Sequence, residues 1–217
     1  AHEYHHEKDL VGLTPEEDLI FSLCFCPACM EGSKRAGVDG EAARKIACEW
    51  MVEACEREVP ERRLPDFPKG GIDAFAQWPA LHAFLAWRME PVTSLIDEIR
   101  TAADPASQVA VIDLKDGWLG GCDPERLGKV CDGMILCGYD MEAQEVAETL
   151  AFGRKALGGD KFLGTGYRLY YPEMSGADDL AAKVKPALDS GVDGINFYNY
   201  GMLPAARLDW IGTALKR

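Results

Sequence analysis

Three cysteines lie within six residues, as Cys24-Phe25-Cys26-Pro27-Ala28-Cys29. Tetrahedral zinc takes four thiolate or imidazole ligands, and a Cys-x-Cys-x-x-Cys turn supplies three of them. Cys48, Cys55 or a histidine is available as the fourth, and an all-thiolate site of this kind is closed and structural rather than catalytic. The competing reading is three packed thiols. A second cluster, His2-Glu3-Tyr4-His5-His6-Glu7, contains the letters His-Glu-x-x-His of a zinc protease. That motif works on a helix, where both histidines share one face, and no helical run surrounds it here. Metal ligation by His2, His5 or His6 at a strand end is a second reading of the cluster. A third uses its acids. Glu3 and Glu7 are an even number of residues apart, so on a strand both carboxylates point the same way. Surface acids are the plain alternative.

Charge narrows the partners. The 217 residues carry a formal net charge of −13, a field that repels a phosphate backbone. There is no basic stripe with interleaved aromatics, so a nucleic-acid role is not expected. No stretch approaches the roughly 18 apolar residues of a membrane span, and no membrane association is expected. The remaining five cysteines, Cys48, Cys55, Cys122, Cys131 and Cys137, fall singly on apparent helices and strands and read as small buried hydrophobes. This usage suits a reducing compartment, and a cytoplasmic location is the expectation.

The elements that must position these groups alternate. Strands are expected at residues 108–114, 131–137, 161–169 and 194–201, with helices at 78–101, 124–129, 141–157, 177–190 and 205–215. Near-continuous apolar strands alternating with helices mean a parallel sheet covered by helices. No Gly-x-Gly-x-x-Gly turn follows a strand, which removes the dinucleotide-binding fingerprint. Residues 10–75 carry loop signals around one good helix at 40–59 and read as a long insertion bearing the cysteine cluster, placed after a first strand near residues 2–7.

The run from Gly191 to Gly201 resembles the eighth strand of glycoside-hydrolase-like barrels. Trp87-Arg88-Met89-Glu90-Pro91-Val92, in the helix before a strand, is similar to the same proteins, and Cys24-x-Cys26-x-x-Cys29 resembles the cysteine cluster of family 42 beta-galactosidases. The resemblance implies a single domain that is the last part of a (β/α)8 TIM barrel, about strands 4–8. The alternative is a complete open parallel sheet of five strands. It also implies a structural Zn2+ at Cys24, Cys26 and Cys29, placed shortly after a fourth strand bearing the acid/base glutamate, Glu3 or Glu7. Glycosidases pair such an acid with a second carboxylate. Counting back from the last strand puts Glu173 at the seventh strand end as candidate nucleophile. Asp113, Lys115, Trp118, Tyr139, Asp140, Arg168, Asn196, Tyr198 and Asn199 lie at or just beyond other strand ends, where aromatic faces and amides suit a carbohydrate. A barrel that begins at its fourth strand would be closed by a companion polypeptide or a second copy. Two further readings stay open: a non-catalytic carbohydrate-binding or assembly subunit, and a metal-dependent barrel enzyme using the amino-terminal histidines. A Schiff-base role for Lys115 has no other support in the sequence.

Overall fold

The computed structural model describes residues 12–113, 116–170 and 174–216. The expected strand at 2–7, with Glu3, Glu7 and the histidines, lies outside the described residues, as do Lys115 and Glu173. The chain forms two compact units, one of residues 1–94 and 116–122, the other of residues 95–115 and 123–217. Among the described residues, no helix is long and apolar enough to cross a membrane.

The first unit is helical. It holds α1 (Pro15–Phe21), α2 (Pro27–Arg35), α3 (Gly40–Glu56) and α4 (Pro79–Trp87), and α5 (Met89–Ala102) leads into the second. The loop reading of the segment around α1 and α2 needs correction, because both prolines there are first-turn residues that start helices rather than break chains. Thr14 and Glu17 form a capping box around Pro15. Cys26 occupies the N-cap position before Pro27. The core collects Leu19, Trp50, Phe67, Phe75, Leu81 and Leu85. Beneath it lie two carboxylates with no exposed surface. Glu16 accepts the backbone N–H groups of Arg63 and Leu64 at 2.8 and 3.2 Å, and Glu17 pairs with Arg57. The single long helix expected from Trp78 to Thr101 is instead two, α4 ending at Trp87 with Arg88 as its C-cap, and α5 starting at Met89. Their apolar stripes differ in fate. Leu81, Phe84 and Leu85 are buried, whereas Leu95 and Ile99 are 54% and 45% exposed.

The second unit is α/β, with a four-stranded parallel sheet in the order β1 (Ala110–Asp113), β2 (Gly133–Cys137), β3 (Phe162–Arg168), β4 (Gly194–Tyr198). Between and after the strands run α6 (Pro124–Val130), α7 (Ala143–Leu157), α8 (Ala177–Asp189) and α9 (Leu208–Ala214). Met134, Leu136, Leu163 and Tyr167 alternate onto the face that meets the helices. A Cβ on Gly153 of α7 would strike the Leu136 side chain, and the Tyr167 hydroxyl donates to the Lys183 carbonyl of α8 at 2.8 Å. Each fully buried leucine here contributes about 1.5–3 kcal/mol relative to exposure. The opposite face carries Ile112, Ile135, Phe162, Arg168 and Tyr198, and within this unit Ile112 remains 63% exposed.

A device repeats at the start of two strands. Asp132, before β2, accepts the Val109 N–H at 2.8 Å and pairs with Arg100 at 2.7 Å. Asp193, before β4, accepts the Leu163 N–H at 2.8 Å and pairs with Arg154 at 2.9 Å. These bonds tie each strand start to its neighbour and to a helix end, and they hold both carboxyls below the usual aspartate range. A glycine supports the helix layer as well. A Cβ on Gly128 of α6 would lie 2.5 Å from the Ala156 carbonyl oxygen, a backbone atom that has no rotamer to yield. Gly128→Ala is therefore expected to destabilise by about 1–3 kcal/mol. That is opposite in sign to the gain of about 0.5–1 kcal/mol usual for this change within a helix, and a urea midpoint distinguishes the two.

Candidate functional site

In the helical unit, the Sγ atoms of Cys24, Cys26 and Cys29 lie within 4.8 Å of one another. The tight turn into α2 makes this possible. With Cys26 as N-cap, the unpaired N–H groups of the first helical turn lie beside its thiol. The backbone N–H of Cys29, the thiol of Cys24 and the N–H of Ala28 bring the Cys26 thiol down to about 7. Burial, then the neighbouring thiols, push Cys29 up to about 12. One sulfur is thus ready as thiolate near neutral pH, and a cation at the centre of the three would favour ionisation of the rest. Soft sulfur donors at this spacing fit a thiophilic metal such as zinc. Packing fixes the turn: Phe25 stacks on Phe84 of α4 at 4.8 Å, and Cys29 lies against the cluster of Ala43, Phe84 and Trp87. Cys48 and Cys55, expected to be buried, are exposed on α3 and stand outside the three-sulfur group, whereas Cys131 and Cys137 are buried as expected. His82 is engaged with Asp73 at 3.0 Å. The described cysteines form no disulfide.

The second cluster belongs to the α/β unit, where parallel register brings residues far apart in sequence to one end of the sheet. Cys137 stands opposite Gly166, Gly166 opposite Asn196, and Arg168 opposite Tyr198. Tyr139 follows the end of β2. A Cβ on Gly166 would meet the Cys137 sulfur at 3.3 Å and the Tyr139 ring at 3.6 Å, so the glycine lets the ring lie over the strand. The Arg168 guanidinium carbon sits 4.4 Å from the centre of Tyr139 and 5.8 Å from that of Tyr170. The Tyr139 and Tyr198 rings stack at 6.1 Å. Burial and the contact with Cys137 raise the Tyr139 phenol well above its ordinary range, so it stays protonated. The result is a half-buried cation held against two aromatic faces.

Other expected site residues are placed as follows. Asp113 ends β1, 7% exposed, and its charge contributes to keeping the buried Cys137 thiol protonated. Asp140 is exposed after β2. Asn196 is exposed on β4, and the Asn199 side chain, following a cis peptide bond from Tyr198, accepts the Gly201 N–H at 2.9 Å and so begins a short turn. Trp118 belongs to the helical unit, edge-on to Phe67 at 5.7 Å. Cys137 and Tyr170 join the cluster without having been singled out from the sequence. Period-two counting from Arg168 would have reached Tyr170, whereas nothing local marks Cys137. An open groove of about 500 Å³ between α7 and α8, lined by Ala143, Ala147, Lys185 and Asp189, lies on the helix layer and gathers no comparable chemistry. No protein-family model, curated protein or solved structure matches this chain.

Proposed function

We propose that the protein is a glycoside-hydrolase-like (β/α)8 barrel that takes a carbohydrate at the C-terminal ends of its strands, with a structural zinc at Cys24, Cys26 and Cys29. The observation that supports it is the one-sided sheet. Strands added in one direction by right-handed crossovers put every helix on the same face. Parallel sheets bury both faces, and barrel closure does so by turning the second face into an interior. An open doubly wound sheet would carry helices on both sides, whereas here Ile112 and Tyr198, on the face opposite Met134, Leu136, Leu163 and Tyr167, are 63% and 41% exposed. Closure calls for strands beyond these four. The Arg168, Tyr139 and Tyr198 cluster then faces the barrel mouth. A guanidinium donates to sugar hydroxyls, and aromatic faces stack on sugar rings. Glu3 or Glu7 as acid/base and Glu173 as nucleophile complete the two-carboxylate chemistry, with a separation of about 5 Å for a retaining pair or about 6.5–9.5 Å for an inverting one.

The test is a panel of aryl glycosides for turnover, with saturation-transfer NMR for saccharide binding. Arg168→Ala is expected to weaken binding about 10- to 100-fold, the scale of a lost hydrogen bond to a charged group, with the thermal midpoint little changed. Glu173→Gln is expected to abolish turnover while leaving binding intact. A protein that neither turns over a glycoside nor binds a saccharide would end this reading.

A further inference from the structure

Cys26 and Cys29 stand in one turn of helix, the first open to solvent and the second half-buried. Pro27 starts α2 and Cys26 caps it, its carbonyl accepting the Met30 N–H at 3.0 Å. Residues three apart in a helical turn share a face, with Cα atoms about 5 Å apart. That lies inside the roughly 4.4–6.8 Å that a disulfide spans. The two sulfurs are within 4.8 Å of each other, so a bond between them closes without moving the backbone. The turn is held from behind. Phe25 stacks on Phe84 at 4.8 Å, and Cys29 packs against Ala43, Phe84 and Trp87. Cys24 lies before the helix, outside this turn. Access therefore divides the pair: a reagent in solvent meets Cys26 first, and Cys29 waits beneath it.

We propose that Cys26 and Cys29 are a redox-active thiol pair that exchanges with the disulfide of a small thiol such as glutathione. The Cys26 thiolate attacks one sulfur of glutathione disulfide, whose S–S bond breaks and releases one glutathione thiolate. That thiolate takes the proton of the Cys29 thiol. The Cys29 sulfur then attacks Cys26 and displaces the second glutathione, which takes up the proton that Cys26 gave off on ionising. Two protein thiols are oxidised to one disulfide, and one glutathione disulfide is reduced to two thiols. A loop this short removes little chain entropy from the unfolded chain, so the bond is readily reduced again. The inference goes beyond the zinc reading. The bond uses two of the three sulfurs, so disulfide and metal exclude one another at this turn.

The reduced, chelator-treated full chain is incubated with glutathione disulfide, quenched in acid, alkylated and digested with trypsin. All three cysteines fall in the peptide of residues 9–34. In wild type that peptide is expected to become two hydrogens lighter, to lose alkylation at Cys26 and Cys29 while Cys24 keeps it, and to regain both thiols in excess glutathione. Cys29→Ser is expected to stop at a glutathione adduct on Cys26, and Cys24→Ser to form the same bond as wild type. A wild type whose Cys26 and Cys29 both stay alkylatable, or whose new bond joins Cys24 or a second chain, would overturn the proposal, and neither result depends on a variant that folds. Zinc uptake by the reduced wild type, read with a chromophoric chelator, tests the metal reading separately. Uptake, followed by release of zinc as the disulfide forms, is the expected result. A chain that takes up no zinc yet forms the bond supports the thiol pair and ends the metal reading alone. One that takes up zinc and, once stripped of it, forms no bond ends the thiol pair alone.

Discussion

Cys29→Ser is expected to abolish the proposed metal binding and to lower the thermal midpoint to that of the chelator-treated wild type. The three sulfurs already lie within 4.8 Å of one another, so binding needs little rearrangement and the site belongs to the folded chain alone. A ligand that binds only the folded state stabilises it by about 4 kcal/mol when present at a thousandfold excess over its Kd. For a helical unit of this size that corresponds to about 15–30 °C. Cys29 is the informative position because it is the sulfur seated against Phe84 and Trp87, where loss of the ligand also loosens the turn. Cys48→Ser, on the exposed face of α3, is the control and should leave both metal content and midpoint unchanged. Differential scanning calorimetry with and without chelator, paired with elemental analysis, decides the matter. Equal midpoints in all of these samples would show three incidental thiols.

Arg57→Ala will destabilise the helical unit by about 3–5 kcal/mol, the cost of stranding a buried carboxylate. The Glu17 side chain is 1% exposed and Arg57 20%. Removing the arginine leaves the carboxylate where water cannot replace its partner, whereas Glu17→Gln, which keeps an acceptor for the Thr14 N–H now bonded at 2.9 Å, should cost less. The pair also sets a pH dependence. Burial raises the Glu17 carboxyl, but hydrogen bonds from Arg57 and Thr14 and the arginine charge outweigh it, so the folded value lies below the ordinary 4.5. A depressed folded value means stability that is fully present above the unfolded value and lost as pH falls through the folded one. Wild-type urea midpoints should therefore decline below about pH 4.5. In Arg57→Ala the stranded carboxyl takes up a proton more readily, so the gap to wild type should narrow over the same range. A gap that stays constant from pH 7 to pH 3.5 would mean that the pair is not coupled as the geometry implies.

The cysteine site was legible because it is local. Cys24, Cys26 and Cys29 span six residues, and a single turn capped by Cys26 carries all three. The alternation of apolar strands with helices was legible too, since side-chain periods of two and 3.6 are written directly into the residues. That is why β1 to β4 and α6 to α9 fall close to where the spacing puts them. Helix starts were also in the sequence, but as competing signals. Thr14-Pro15-Glu16-Glu17 is at once a proline-bearing loop and a capping box, and only packing of Leu19 and Ile20 into the core selects the helix.

Tertiary structure alone decided what meets what. The apolar spacing from Leu81 to Ile99 is continuous along the chain, yet it divides at Arg88 because α4 finds a core and α5, within the described residues, does not. Tyr139, Arg168 and Tyr198 meet because parallel pairing aligns strands about 30 residues apart. Composition and periodicity determine which segments become elements and which face of each is apolar, since those are properties of neighbours along the chain. The partners of a charged or aromatic side chain depend on register and crossover, which exist only once the chain has closed on itself.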